Sequence, residues 1–125
     1  KTYRVFHQHN LSNIIDEISE WALEEVGNLG CTPTVPAIGI GRTHFEATSL
    51  MLEAMVYGNF NKQNDIETEI TNRINDSNVG PLGLKGDITA LATFLRVGSQ
   101  RASGVRIVCL RLGCCMEPRV ASVEL

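Results

Sequence analysis

The residues of this sequence best suited to chemistry are its four cysteines, Cys31, Cys109, Cys114 and Cys115. Cys31 lies in an irregular segment just before a predicted strand, whereas Cys114 and Cys115 lie where another predicted strand ends. Thiolates at the ends of core strands are typical ligands of a metal ion or an iron–sulfur cluster. The alternative is that a cysteine serves as a small buried apolar side chain, and we favour it for Cys109, inside an alternating strand. No CxxC pair occurs, so a structural zinc site is not favoured.

A glycine-rich turn, GIGRT at residues 39–43, predicts a second site. Such a turn leading into a helix presents free N–H groups at the positive end of the helix dipole, which suits a carboxylate or a phosphate. Arg42 adds a cation there, and Thr43 is the predicted N-cap, with Glu46 at capping-box spacing. The alternative is that the two glycines only satisfy backbone geometry. The lysine and the spacing of a Walker motif are absent.

Three helices are predicted to position these residues, from apolar side chains recurring at helical spacing. They span residues 12–26, 43–57 and 65–76. For the first helix, Ser12 or Asn13 is the predicted N-cap, which places Asp16 and Glu17 in the first turn, where the helix dipole favours acids. Asn64 is the predicted cap of the third helix.

The remaining predicted elements are strands, which dominate the C-terminal part because β-branched residues are frequent there. They span residues 34–40, 88–97, 105–114 and 119–125. Pro33 and Pro36 favour an irregular start or an edge position for the first of them. Helices followed by strands, with one strand–Gly-turn–helix unit between, predict a mixed α/β (α+β) domain.

Length and composition restrict the class of protein. With 125 residues, the chain is expected to form one domain, residues 1–125, as a fragment of a larger protein. A net charge of −3 gives no basic surface for nucleic acid, and no apolar run is long enough to cross a membrane. We therefore expect a cytoplasmic protein that binds neither nucleic acid nor membrane.

Three blocks of the sequence resemble one known family. The segment GCTPTVPAIGIGRT, residues 30–43, is similar to the CPP…GIGGT segment of the class I iron–sulfur fumarate hydratases and of the L(+)-tartrate dehydratase α subunit. GPLGLKGDITAL, residues 80–91, resembles that family's GPMGLGGKTTAL, and CMEPRVASVEL, residues 115–125, resembles its CWAARRATARI. The blocks occur in family order with family-like spacing, so the resemblance covers nearly the whole chain.

The resemblance implies a set of site residues. Family members hold a [4Fe–4S] cluster on three cysteines, two of which correspond to Cys31 and Cys115, while the third lies in an upstream segment that this chain lacks. Three thiolates leave one iron without a protein ligand, and that iron acts as a Lewis acid toward a hydroxy dicarboxylate. Arg42, Thr43 and Arg119 are the expected substrate-binding residues. The general base is expected from the family's β region, so the catalytic residues are not assigned here.

The implied function is part of an iron–sulfur hydro-lyase that hydrates or dehydrates a small dicarboxylate such as fumarate, malate or tartrate. Its implied partners are a β subunit or a β domain, and the protein is expected to be an oligomer. The isolated fragment is expected to be inactive. The alternative is a non-catalytic homologue that keeps the fold and binds a cluster or a partner. Two departures from the family pattern favour the alternative. Ser103 stands where the family has a histidine, and Asp87 lies in the segment 85–88, where the lysine of the family's GGKT pattern is displaced.

Overall fold

The computed structural model describes residues 3–7, 10–117 and 119–125. Its elements in chain order are β1 Tyr3–Phe6, α1 Leu11–Val26, β2 Thr34–Gly41, α2 His44–Tyr57, α3 Asp65–Asn75, a 3-10 turn Pro81–Gly83, β3 Phe94–Val97 and β4 Arg106–Cys114. Three α-helices and a four-stranded mixed sheet confirm the predicted mixed α/β class. Within the described part of the chain, no helix is long and apolar enough to cross a membrane.

The helices begin where polar side chains cap them. Asn10 accepts a hydrogen bond from the N–H of Ser12 at 2.9 Å, so α1 begins at Leu11 and the predicted caps Ser12 and Asn13 are wrong. Because of this earlier start, the first turn of α1 contains no acid. Asn64 caps α3 as predicted, in a capping box with Glu67.

The strand order of the sheet is β1-β4-β2-β3. β4 is antiparallel to both β1 and β2, whereas β3 is parallel to β2. β2 is therefore a central strand, and the edge position considered from its prolines is wrong. Pro36 still limits pairing on one side: the ladder with β3 begins at Ala37, opposite Phe94. Proline has no N–H to extend a ladder, so the predicted strand 88–97 is interrupted: Ala90 forms an isolated bridge with Thr34, and the strand itself is reduced to Phe94–Val97.

Helices cover both faces of the sheet. Side chains from α1 and α3 form the main core with one face of the strands, and its buried members include Ile14, Ile18, Trp21, Ile38, Ile40, Ile70, Ile74, Val108 and Leu110. On the other face of β2 stand the small residues Val35, Ala37, Gly39 and Gly41, against which α2 packs. α2 runs antiparallel to β2, since Ala47 packs near Gly41 and Ala54 packs near Val35.

Two parts of the sheet differ from the sequence-based prediction. The short edge strand β1 was not predicted, because four residues give little periodic signal. Residues 119–125, predicted as a strand, form none, because their backbone has no partner in the sheet. Instead the N–H of Val120 donates to the carbonyl oxygen of Val56, near the end of α2.

Candidate functional site

The pairing of β2 with β4 brings two cysteine-containing segments to one end of the sheet. Thr34, the first residue of β2, pairs with Cys114, the last residue of β4. The Thr34 hydroxyl strengthens this junction by donating to the carbonyl oxygen of Gly113 at 2.8 Å. Cys31 precedes β2 by three residues and Cys115 follows β4 by one. We call this end of the sheet, with Cys31, Cys114 and Cys115, the thiol end.

Cys31 interacts with the other two thiols of the thiol end. Cys31 and Cys115 are exposed, and Cys114 is half-buried. The pKa of the Cys31 thiol is raised above its ordinary value, first by the charge of Cys114, then by loss of hydration, a hydrogen bond with Cys114 and the charge of Cys115. Like charges disfavour each other's ionisation. Cys109 is buried between the sheet and α2, as its place in an alternating strand predicts.

A buried threonine attaches residues 77–87, which we call the Gly/Pro loop, to the segment that carries Cys31. The Thr32 hydroxyl donates to the carbonyl oxygen of Gly80 at 2.6 Å and accepts from the N–H of Gly83 at 3.2 Å. The carbonyl oxygen of Thr32 accepts from the N–H of Leu82 at 3.1 Å. The loop therefore lies beside Cys31, and, with Cys115, all three sequence blocks meet at the thiol end.

Arg119 lies at the same end, in contact with the end of α2. Its Nη1 donates to the carbonyl oxygen of Met55 at 2.9 Å. Its guanidinium carbon lies 4.8 Å from the ring centroid of Phe60 and 5.1 Å from that of Phe94. Burial lowers the pKa of Arg119, and the charge of Glu117 opposes that effect. The Nε and Nη2 atoms are buried without a hydrogen-bond partner in the described part of the chain.

Arg42 and Thr43 lie at the opposite end of the sheet, which we call the Gly-turn end. β2 separates the two ends: its seven steps from Thr34 to Gly41 span about 23 Å at the usual rise of a strand. The structure therefore does not bring Arg42 or Thr43 together with the thiols.

The local geometry at the Gly-turn end favours an internal ion pair. Thr43 caps α2 as predicted, accepting from the N–H of Glu46 at 3.1 Å. The Glu46 carboxylate does not complete a capping box with Thr43; it accepts from the backbone N–H of Arg42 at 2.7 Å and from its Nε at 3.1 Å. The hydrogen bond from Arg42 lowers the pKa of Glu46, and the same bond raises the pKa of Arg42. Arg42 thus has a carboxylate partner within its own chain.

Comparison with known proteins adds the family. The sequence model of the fumarate hydratase (Fumerase) family matches residues 3–124. The chain belongs to this family. It is also 33% identical, over 114 residues, to a protein named as an L(+)-tartrate dehydratase subunit alpha from Methanocaldococcus jannaschii. The alignment covers 85% of this chain and 38% of that relative, so the chain spans less than two fifths of the relative's length.

Membership of the fumarate hydratase family allows the thiol end to be tested against an iron–sulfur cluster. Thiolates are the ligands that such clusters require, and exposed Cys31 and Cys115 at one end of the sheet fit part of such a ligand set. Over residues 3–7, 10–117 and 119–125, no three His, Cys, Asp or Glu side chains are grouped to hold a metal ion. The described residues therefore offer two exposed thiols to such a cluster and do not by themselves make a complete ligand set.

Cys114 was recognised beside Cys115 at the end of a predicted strand but was given no role, and one concave surface was not predicted. Cys114 is the largest cause of the raised pKa of Cys31, and the pairing of its strand with β2 brings it there. A groove of about 430 Å³ lies beside β4, and none of the predicted site residues lines it. Its lining residues are Glu25, Asn28, Leu29, Met51, Leu110, Arg111 and Leu112.

Proposed function

We propose that this chain is the part of an iron–sulfur hydro-lyase α region that supplies two ligands, Cys31 and Cys115, to a [4Fe–4S] cluster. The observation that carries the proposal is the strand pairing of Thr34 with Cys114, which joins two segments 80 positions apart in a member of the fumarate hydratase family. A third thiolate has to come from another part of the protein. The cluster supplies an iron with an open coordination position, which acts as a Lewis acid on a small hydroxy dicarboxylate.

The chain's own contribution is to hold the two thiolates in place. Cys31 is held through Thr32, which is hydrogen-bonded to the Gly/Pro loop on one side of the thiol end. Cys115 follows directly on β4, in a turn where the N–H of Glu117 donates to the carbonyl oxygen of Cys114 at 3.3 Å. Both thiols are exposed, so a cluster completed by another part of the protein can reach them.

Substrate binding by Arg42 and Thr43 stays a prediction, whereas the described contacts of Arg119 are with the end of α2 and two aromatic rings. Arg42 and Thr43 lie a strand's length from the thiols of their own chain. They can therefore contact the dicarboxylate only at a site that another domain or subunit brings to them. The relative's name describes an α subunit, and we propose that a β subunit or β domain completes the site, within an oligomer. Leu82, Leu84 and Met116 are exposed apolar side chains near the thiol end, which is consistent with a surface that another part of the protein covers.

Cluster assembly in cysteine variants tests this proposal. The full-length protein is produced with its β partner, reconstituted anaerobically with iron and sulfide, and analysed for both elements and for hydration of fumarate and dehydration of tartrate. Cys31→Ser and Cys115→Ser should each lose most of the cluster. Cys114→Ser, one position from Cys115, is the matched control and should retain it. Cluster loss in Cys114→Ser with retention in Cys115→Ser would reassign the ligand to Cys114.

A second candidate function is a homologue that keeps the fold without turnover. The observation that favours it is Ser103, which replaces the family's histidine and is exposed in the loop before β4, at the Gly-turn end. A reconstituted wild-type protein with a full cluster and no activity on fumarate, malate or tartrate would support this candidate. Measurable hydration or dehydration of any of the three excludes it.

A further inference from the structure

The segment that carries Cys115 is attached to the protein at both of its ends. Residues 115–117 and 119–120, which we call the strap, lie between the end of β4 and the end of α2. At the first attachment, Arg111 Nη2 donates to Glu117 Oε1 at 2.7 Å. At the second, Arg119 and Val120 donate to the carbonyl oxygens of Met55 and Val56, at 2.9 and 3.1 Å.

The second attachment supplies what the end of α2 lacks. The last carbonyl groups of a helix have no partner within it and carry partial negative charge, so they favour a cation. The last turn of α2 contains no basic residue of its own. The Arg119 guanidinium takes that place, against the rings of Phe60 and Phe94, which meet edge to face with centroids 5.2 Å apart.

We propose that Arg119 is a positioning residue that holds Cys115 in place for the cluster, instead of contacting the substrate. The inference rests on the proposed function, because it takes Cys115 as a cluster ligand. Arg119 is four residues from Cys115, and the hydrogen bond that it makes within the described part of the chain is to the carbonyl oxygen of Met55 in α2. The Nε and Nη2 atoms, which together could donate two parallel hydrogen bonds to one carboxylate, are shielded from solvent. A dicarboxylate cannot reach them unless the strap leaves α2.

The test measures how fast the reconstituted full-length protein releases iron to a chelator, for the wild type and three variants. Arg119→Ala removes both the helix-end contact and the contact with the two rings, and should release iron roughly 5- to 30-fold faster, the range expected when a local attachment of this kind is lost. Phe60→Leu removes one ring and should release iron faster by a smaller factor. Phe60 is half-exposed, so this variant is expected to fold even if Arg119→Ala does not.

Two further measurements separate positioning from substrate contact. Arg119→Lys keeps a cation for the carbonyl oxygen of Met55, and its release rate should fall between those of the wild type and Arg119→Ala. The Michaelis constant for the dicarboxylate, measured on cluster-loaded protein, should be unchanged in both Arg119 variants. The Val120 amide should exchange its hydrogen faster in Arg119→Ala than in the wild type. Arg101→Ala, an exposed arginine at the Gly-turn end, is the control and should behave as wild type.

The outcomes distinguish failure of the inference from failure of the proposed function. If the wild-type protein takes up no cluster, the proposed function is wrong, and the inference with it. If the wild type takes up a cluster that Arg119→Ala and Phe60→Leu release at the wild-type rate, only the positioning role is wrong. A raised Michaelis constant in Arg119→Ala with unchanged iron release would assign Arg119 to the substrate and overturn the inference.

Discussion

Replacing Gly39 by alanine should separate α2 from the sheet. A Cβ built on Gly39 lies 2.0 Å from the carbonyl oxygen of Ala47, 2.4 Å from the backbone nitrogen of Met51 and 3.0 Å from its Cα. All three are backbone atoms of α2, so no side-chain rotation relieves the overlap. Ordinary contact begins at 3.4 Å, so the Ala47 oxygen has to retreat by about 1.4 Å, the difference from 2.0 Å.

The cost of this shift can be estimated from packing energies. Overfilled cores lose about 1–3 kcal/mol when side chains and backbone can adjust. Because the overlap at Gly39 involves only backbone, and retreat of α2 also loosens the contacts of Ala37 with Ala47 and Met51, we expect a loss of about 3 kcal/mol or more in the free energy of unfolding. Urea denaturation followed by circular dichroism measures it. With an m-value of about 2 kcal/mol/M, the midpoint should fall by about 1.5 M.

Gly27→Ala is the matched control for Gly39→Ala. Gly27 ends α1 with right-handed helical angles, φ −64° and ψ −22°, and nothing lies within 4 Å of the site of its missing Cβ. Alanine there should raise the free energy of unfolding by about 0.4–1 kcal/mol, because it restricts the unfolded chain without strain in the folded one. An unchanged midpoint for Gly39→Ala, beside a stabilised Gly27→Ala, would refute direct packing of α2 on β2.

Three more outcomes are expected. Thr43→Ala should lower the free energy of unfolding by about 0.5–2 kcal/mol in urea titrations, since it removes the cap of α2, whereas Thr43→Ser should match the wild type. NMR titration should find the pKa of Glu46 below that of an ordinary glutamate and restored in Arg42→Ala; because the folded-state pKa is lowered, the stabilisation is present above the unfolded-state pKa and is lost as the pH falls through the folded-state value. An equal pKa in both proteins would contradict the ion pair. Cys109 should react with a thiol reagent only on unfolding, while Cys31 reacts in the native protein, as mass spectrometry of labelled peptides can show.

The helices and the central strand were predictable because their signals are local and long. The isoleucines of α3 at positions 66, 70 and 74 define one apolar stripe, and two of them are fully buried. Asn64 is followed at capping-box spacing by Glu67. Strand partners depend instead on distant residues: β1 pairs with a strand about 100 positions later, and nothing in its four residues indicates that partner.

The candidate site was predictable in part for the same reason. Cys31 and Arg42 are 11 positions apart in the sequence, and the family resemblance implied one site for both. An extended strand lies between them, and a strand separates residues by about 3.3 Å per step, so they occupy opposite ends of the sheet. The family blocks identified the cysteine segments, but only strand pairing brings Cys31 and Cys115, 84 positions apart, to the same end.

The pairing of Thr34 with Cys114 also determines when the thiol end comes into existence during biosynthesis. A ribosome adds residues from the N-terminus, so Cys31 emerges long before β4, and the 79 residues between Thr34 and Cys114 have to be made before that end of the sheet can close. Before β4 is made, Cys31 has neither Cys114 nor Cys115 beside it. The strap forms later still, since Arg119 lies beyond β4. If the proposed cluster binds at the thiol end, its assembly there has to follow synthesis of nearly the entire 125-residue segment.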